Sequence, residues 1–283
     1  MDWIKAVSKS IDFIEDNLTE DISIKDIAKI ACISPFYYQR MFSVLTNMSV
    51  HSYIRNRRLT LAAMELQNTD IKIIDLAMKY GYDSPEAFSR AFKKAHGVNP
   101  SVLRKENTAI KAFMKLTIQV TLKGELPMKY SIETKPAFSF YGMTRTVSTI
   151  DEANFRDIPL FWQETMNDGT FMKMIEATGT EKSIGACMPM DPDKDTEFDY
   201  VIGGFCDKEI GDYDNYNVPE HKWAVFQVNG PVMKVLQDTW RRIFAEWFPQ
   251  TGYKHAAEPE LEVYFPGDVN SEDYYMEIWI PIE

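Results

Sequence analysis

Cysteine and histidine are scarce in this chain, with 3 and 4 among 283 residues. Cys32, Cys187 and Cys206 are far apart, form no CxxC and have no histidine pair beside them. Neither a disulfide framework nor a zinc site is expected, and no metal or cofactor is assigned. No apolar stretch approaches the roughly 20 residues of a membrane span, and the first residues, MDWIKAVSKS, lack the apolar core of a signal peptide. A cytoplasmic protein with no membrane partner is expected. A serine nucleophile elbow, an HExxH pair, a P-loop and a glycine-rich dinucleotide turn are all missing. His51, His96, His221 and His255 are dispersed. No catalytic residue is assigned, and a non-enzyme is expected.

What the chain does contain is a repeated helical pattern. From Ile73 to Pro100, Ile73, Leu76, Ala77 and Tyr80 recur at helical spacing. Gly81 then supplies a cheap left-handed stop, and Ser84-Pro85 reads as an N-cap with proline in the first turn. The helix that follows places Phe88, Ala91, Phe92 and Ala95 on one face, leaving Glu86, Ser89, Arg90 and Lys93 on the other. The same arrangement occurs between Ile24 and Leu45. There Ser34-Pro35, Tyr38, Arg40 and Phe42 precede Ser84-Pro85, Phe88, Arg90 and Phe92 by fifty positions, while Asp26-Ile27-Ala28 precedes Asp75-Leu76-Ala77 by forty-nine. Two copies with matched caps and arginines make an internal repeat of two helix-turn-helix units.

On these residues, and on the run KYGYDSPEAFSRAFKKAHGVNP above all, the segment from about Ile11 to Lys105 resembles the paired helix-turn-helix domain of AraC/XylS-type transcription regulators. The resemblance implies double-stranded DNA as a partner, read in two successive major grooves, and RNA polymerase as a second. The helix expected over residues 50–67 contains neither glycine nor proline and would hold the two reading heads about 34 Å apart, one turn of B-DNA. In the first head Phe36, Tyr37, Gln39, Arg40 and Ser43 are expected to face outward: Phe36 suits a thymine methyl, Gln39 adenine and Arg40 guanine. In the second, Arg90 with Glu86 or Ser89 reads bases, and Lys93 meets phosphate. Arg55, Arg57 and Arg58 are further phosphate candidates or plain surface charges.

Charge supports the division. Residues 25–105 carry 13 Lys+Arg against 6 Asp+Glu, whereas residues 111–283 carry 16 against 29. A basic module is joined to an acidic one, which suits nucleic acid on one side and leaves a cationic partner open for the other. The expected domains are residues 1–107, all-α; a linker over 108–127 in which Lys115–Thr121 alternates like a short strand; and residues 128–283.

The last region changes to strand-like alternation. Extended runs flank Lys135-Pro136, a helix is expected over Phe155–Met166, and strands over Ser183–Met188 and Phe198–Cys206. Then come a strand over Lys222–Val228, a helix over Val232–Phe248, and strands over Glu260–Phe265 and Tyr274–Pro281. Two strand-helix-strand-strand units in tandem predict an α+β domain with helices beside an antiparallel sheet. The order WAVFQVNGP, WRRIFAEWFPQTGY, EPELEVYFPGD and EIWIPIE resembles the GyrI-like effector-binding domain. With the N-terminal likeness it matches the Rob-like branch of AraC regulators. Alternation sets Glu262 and Tyr264 on one side of their strand, and Glu277 and Trp279 on one side of theirs. Together they would line an aromatic face with a few carboxylates, suited to a cationic or amphipathic effector. The resemblance implies a central glutamate, assigned first to Glu262 and then to Glu277. Two other readings stay open, a protein-contact module without ligand and a hydrolase domain fused to a DNA reader.

Overall fold

The computed structural model describes residues 3–106, 108–118, 127–191 and 196–283. They fall into two compact units, Met1–Gln39 with Met48–Thr121, and Arg40–Asn47 with Leu122–Glu283. The N-terminal helices are α1 (Trp3–Asp16), α2 (Ile24–Ala31), α3 (Pro35–Thr46), α4 (Val50–Asn68), α5 (Ile73–Lys79), α6 (Pro85–His96) and α7 (Pro100–Glu106).

The repeat holds hydrogen bond for hydrogen bond. After α2 the Ile33 amide donates to the Ala28 carbonyl at 3.1 Å; forty-nine residues on, the Tyr82 amide donates to the Ala77 carbonyl at 3.0 Å. Ser34 Oγ accepts from the Tyr37 amide at 3.2 Å and Ser84 Oγ from the Ala87 amide at 3.1 Å, so each second helix begins on the same cap. Each turn needs one left-handed residue. It is Gly81, at φ 77°, in the second copy and Cys32, at φ 59°, in the first. A side chain on Gly81 would also bring its Cβ within 2.9 Å of an Arg58 guanidinium nitrogen. That guanidinium is committed to the carbonyls of Leu18, at 2.7 Å, and Glu20, at 2.6 Å.

Phe88 and Phe92 of α6 are fully buried among Leu59, Leu66, Leu76 and Leu103, and at about 1.5–3 kcal/mol for each such side chain they anchor the second copy. Residues 108–111 and 112–118 form no strand, which corrects the expectation over Lys115–Thr121 for its residues 115–118; residues 119–121 lie outside the described residues. The segment's backbone is bonded to side chains instead. The Phe113 amide donates to Thr60 Oγ1 at 3.0 Å, the Leu116 amide to the Tyr53 hydroxyl at 3.1 Å, and Arg57 donates to the Phe113 carbonyl.

In the second unit eight strands form one sheet: β1 (Tyr130–Lys135), β2 (Phe138–Ser148), β3 (Ser183–Cys187), β4 (Glu197–Phe205), β5 (Asp214–Val218), β6 (His221–Asn229), β7 (Glu260–Tyr264) and β8 (Tyr275–Pro281). Their spatial order is β1-β6-β8-β7-β3-β4-β2-β5, with every neighbouring pair antiparallel. The two strand-helix-strand-strand units are therefore β2 to β4 and β6 to β8, joined where β3 pairs with β7. Helices α8 (Ala153–Asn167) and α9 (Thr170–Thr178) belong to the first. Helix α10 (Val232–Arg242), continued by a π turn over Ile243–Trp247 and α11 (Phe248–Thr251), belongs to the second. Two elements, α9 and β5, add to the expected set; β5, with sequence DNYNV, is a polar edge strand lacking apolar alternation.

The sheet has two unlike faces. Towards the helices point Cys187, Tyr200 and Ile202, packed with Phe161 and Met174. The other face carries Ile184, Ala186, Val201, Leu261 and Val263 with Trp223. There Phe138 of β2 lies 5.9 Å from Trp223 of β6, although four strands separate β2 from β6, so the sheet curls until this face closes on itself.

Candidate functional site

The helix side of β7 carries the chemistry. Alternation along that strand puts Glu260, Glu262 and Tyr264 on one face, as expected, and the carboxylate of Glu262 is sunk between the helices. It accepts from Trp240 Nε1 of α10 at 2.8 Å, from the Tyr264 hydroxyl at 2.8 Å and, more weakly, from the Tyr200 hydroxyl at 3.5 Å. Tyr200 is itself held by Trp162 Nε1 of α8 at 2.9 Å. Room for that phenol comes from Gly185, paired opposite Glu262, where a Cβ would lie 2.2 Å from the Tyr200 hydroxyl. Burial pushes the Glu262 carboxyl above its ordinary range, and the Trp240 and Tyr264 donors, with the more remote charge of Arg40, only partly offset this. Burial likewise raises the Tyr200 and Tyr264 phenols. Neutral donors thus take the place of water around a carboxylate that retains no ion-pair partner of its own among the described residues.

Glu262 lies on the wall of a cavity of about 580 Å³, within the range of small-molecule sites. Phe155, Trp162 and Phe171 supply aromatic surface from one helical side, and Val232 and Leu236 aliphatic surface from the other. Trp162 meets Tyr264 edge to face at 5.3 Å.

Glu260 differs from Glu262 although it shares the face. Its Oε2 accepts from Arg40 Nε at 2.7 Å and its Oε1 is 3.0 Å from His255 Nε2. Burial alone would raise this carboxyl, but the Arg40 guanidinium and the His255 contact outweigh it and hold the group below its ordinary range. Cys187, beside these groups, has its thiol pushed up to about 12 by burial, so it is a small apolar side chain and no nucleophile.

The remaining expected site residues are distributed unevenly. Register sets Trp279 opposite Leu261 and Glu277 opposite Val263, so this pair occupies the face away from Glu262 and Tyr264. The expectation of one shared face is corrected: Trp279 Nε1 donates to Glu277 at 2.7 Å, and the ring stacks on Phe205 at 5.4 Å in the self-closed core. On α6, Glu86, Arg90 and Lys93 are exposed and Ser89 is half-buried. On α3, Phe36 and Ser43 are half-buried, but Gln39 is buried and the Arg40 guanidinium is bound as described. The outward exposure expected of Tyr37, Gln39 and Arg40 is corrected. Tyr37, Tyr38, Met41, Phe42 and Val44 are buried too, so α3 is covered round most of its circumference. Arg57 and Arg58 are neither phosphate contacts nor idle charges. Arg57 forks onto Glu15 at 2.8 and 2.7 Å, and Arg58 binds the carbonyls at the end of the first helical segment.

Sequence reasoning missed Trp240, Tyr200, Trp162 and Gly185. The helical spacing of Trp240 and Phe244 marks a buried face on α10, but nothing local shows that the indole N–H ends on Glu262.

The fold and site define a class: a double helix-turn-helix DNA reader joined to an α+β domain built around a buried carboxylate. Residues 128–283 match the family described as GyrI-like small molecule binding domain, and residues 27–106 match a helix-turn-helix domain. The chain belongs to the GyrI-like family and is an AraC-type DNA-binding transcription regulator. It is 46% identical over 104 residues to the HTH-type transcriptional regulator YbfP of Bacillus subtilis, covering 37% of this chain and 35% of YbfP. It therefore spans about a third of that relative's length. It is 37% identical over 114 residues to the HTH-type transcriptional activator AarP of Providencia stuartii, covering 40% of this chain and 84% of AarP. In fold it is similar to SAV2435, solved bound to tetraphenylphosphonium, with a TM-score of 0.50 and 24% identity over 55% of this chain and 94% of that one. No helix among the described residues is long and apolar enough to cross a membrane.

Proposed function

We propose that this regulator senses a bulky organic cation with aromatic or amphipathic character, taken into the cavity with Glu262 as counter-charge and Trp162 and Tyr264 as aromatic walls. The reading is carried by one observation. A buried carboxylate faces the cavity with hydrogen bonds from neutral donors only, an arrangement in which a ligand cation replaces hydration that the donors restore in part. Glu277 and Trp279, on the opposite face, have no part in this site. The N-terminal module places α6 on DNA through Arg90, Glu86 or Ser89, and Lys93. The α3 residues Phe36, Gln39, Arg40 and Ser43 take the neighbouring groove once they are freed. RNA polymerase is the partner that such a regulator addresses at a promoter.

The test is calorimetric titration of the full chain with tetraphenylphosphonium and with neutral triphenylphosphine oxide. Glu262→Gln keeps the shape and the Trp240 bond, so it is expected to weaken the cation about tenfold or more while changing the neutral compound by less than about threefold. Equal losses for both, or no binding of either to the wild type, would contradict the assignment. The raised carboxyl adds a pH signature. The cation needs the ionised form, and protonation competes as pH falls through the Glu262 pKa. Affinity should therefore begin to fall at a higher pH than an ordinary carboxylate would give, and Glu262→Gln should flatten that profile.

A further inference from the structure

Glu260 stands two residues before Glu262 on the same face of β7, about 7 Å away along the strand. Its carboxylate is wholly buried and is answered by a planar cation. Arg40 donates to it at 2.7 Å, and the guanidinium carbon lies 4.5 Å from the centroid of the Trp240 ring. Trp240 is the residue whose Nε1 donates to Glu262, so one indole is common to both carboxylates. Arg40 lines the cavity, whereas Glu260 and Trp240 are not part of its wall. A carboxylate at the edge and an indole face alongside are the two features that recognise a flat, delocalised cation in preference to a compact ammonium. His255 Nε2, at 3.0 Å, fixes the other carboxylate oxygen, so the acceptor has a set orientation whether or not the cation is present.

We propose that Glu260 and the face of Trp240 form a second cation subsite reached from the cavity through the position of Arg40, specific for guanidinium or amidinium groups, with Arg40 as its built-in occupant. This rests on the reading of the cavity as an effector site and deepens it. An aryl-guanidine would satisfy the same carboxylate and stack on the same indole, exchanging with Arg40 without leaving Glu260 unpaired. The exchange returns Arg40 to α3, where it matches Arg90 of α6 in the repeat. A guanidinium at Glu260 cannot at the same moment meet a base edge. A ligand that takes the subsite thereby raises the number of arginines available to DNA.

The experiment titrates phenylguanidine and its neutral isostere phenylurea into the full chain as wild type, Arg40→Ala, and Arg40→Ala with Glu260→Gln. Removing the occupant should tighten phenylguanidine about tenfold or more and phenylurea by less than about threefold, and adding Glu260→Gln should abolish the gain. No gain in Arg40→Ala, an equal gain for phenylurea, or a gain that survives Glu260→Gln would overturn the proposal. If circular dichroism shows Arg40→Ala to be unfolded, Arg40→Lys keeps a positive charge but loses the planar fork, and it should give the same preference for phenylguanidine at smaller size; its absence there would count equally against the subsite. Tetraphenylphosphonium, run alongside, separates this from the Glu262 reading. It reports on Glu262, whereas the phenylguanidine gain reports on Glu260, and either can fail alone.

Discussion

Helices α3 and α6 start from the same plan and end in different states. Both open on a serine cap followed by proline, and each carries an arginine at the matching position. In α6 the apolar residues keep to one stripe, Phe88 and Phe92 are buried, and Arg90 and Lys93 stand exposed without a hydrogen bond or ion pair among the described residues. In α3 aromatic and aliphatic residues surround the helix, and its arginine is bound to Glu260. The comparison teaches that an internal repeat transmits backbone geometry faithfully while the availability of the reading face is set by what else the side chains can reach. The two heads are unequal in this structure: the arginine of α6 is exposed, and that of α3 is bound to Glu260.

The turns offer the largest effect with which to probe that inequality. Gly81→Ala adds a side chain at φ 77° and presses on Arg58, so it should cost about 1–3 kcal/mol. Cys32→Gly relieves a left-handed non-glycine residue and should add about 0.5–1 kcal/mol. Chemical denaturation of the full chain measures both, and opposite signs are expected at equivalent positions of one repeat. Small effects at both positions would mean that neither turn depends on its left-handed residue. A smaller effect lies on α6. Lys93→Ala should weaken all DNA sequences alike and lower the slope of log affinity against log salt by about one, with sequence preference unchanged.

Much of the fold was legible because it is local. Serine caps, Gly81 and the helical spacing of apolar residues locate α2 to α6, and period-two alternation places Glu262 with Tyr264 correctly. What was illegible depends on partners remote in sequence. Alternation shows that Glu277 and Trp279 share a face of their own strand, but only register decides whether Glu262 is on it, and a shift of one residue reverses the answer. Trp240 and Tyr200 reach Glu262 from 22 and 62 residues away, and Arg40 reaches Glu260 across 220. No pattern in the chain announces those bonds. Over its described residues 115–118 the strand expected at Lys115–Thr121 is absent for a related reason: side chains of α4 and α1, and not a neighbouring strand, take up that segment's backbone groups and charges.

The central claim, that the arginine of α6 is available to DNA while that of α3 is held, is tested most directly by fluorescence anisotropy. The probe is a duplex selected by the wild-type chain from a random pool, titrated without effector. Arg90→Ala should cost about 1–3 kcal/mol of affinity and relax preference at one base position. Arg40→Ala should change affinity by less than about twofold under the same conditions, since its guanidinium is engaged elsewhere. A loss for Arg40→Ala equal to or greater than that for Arg90→Ala would contradict the account.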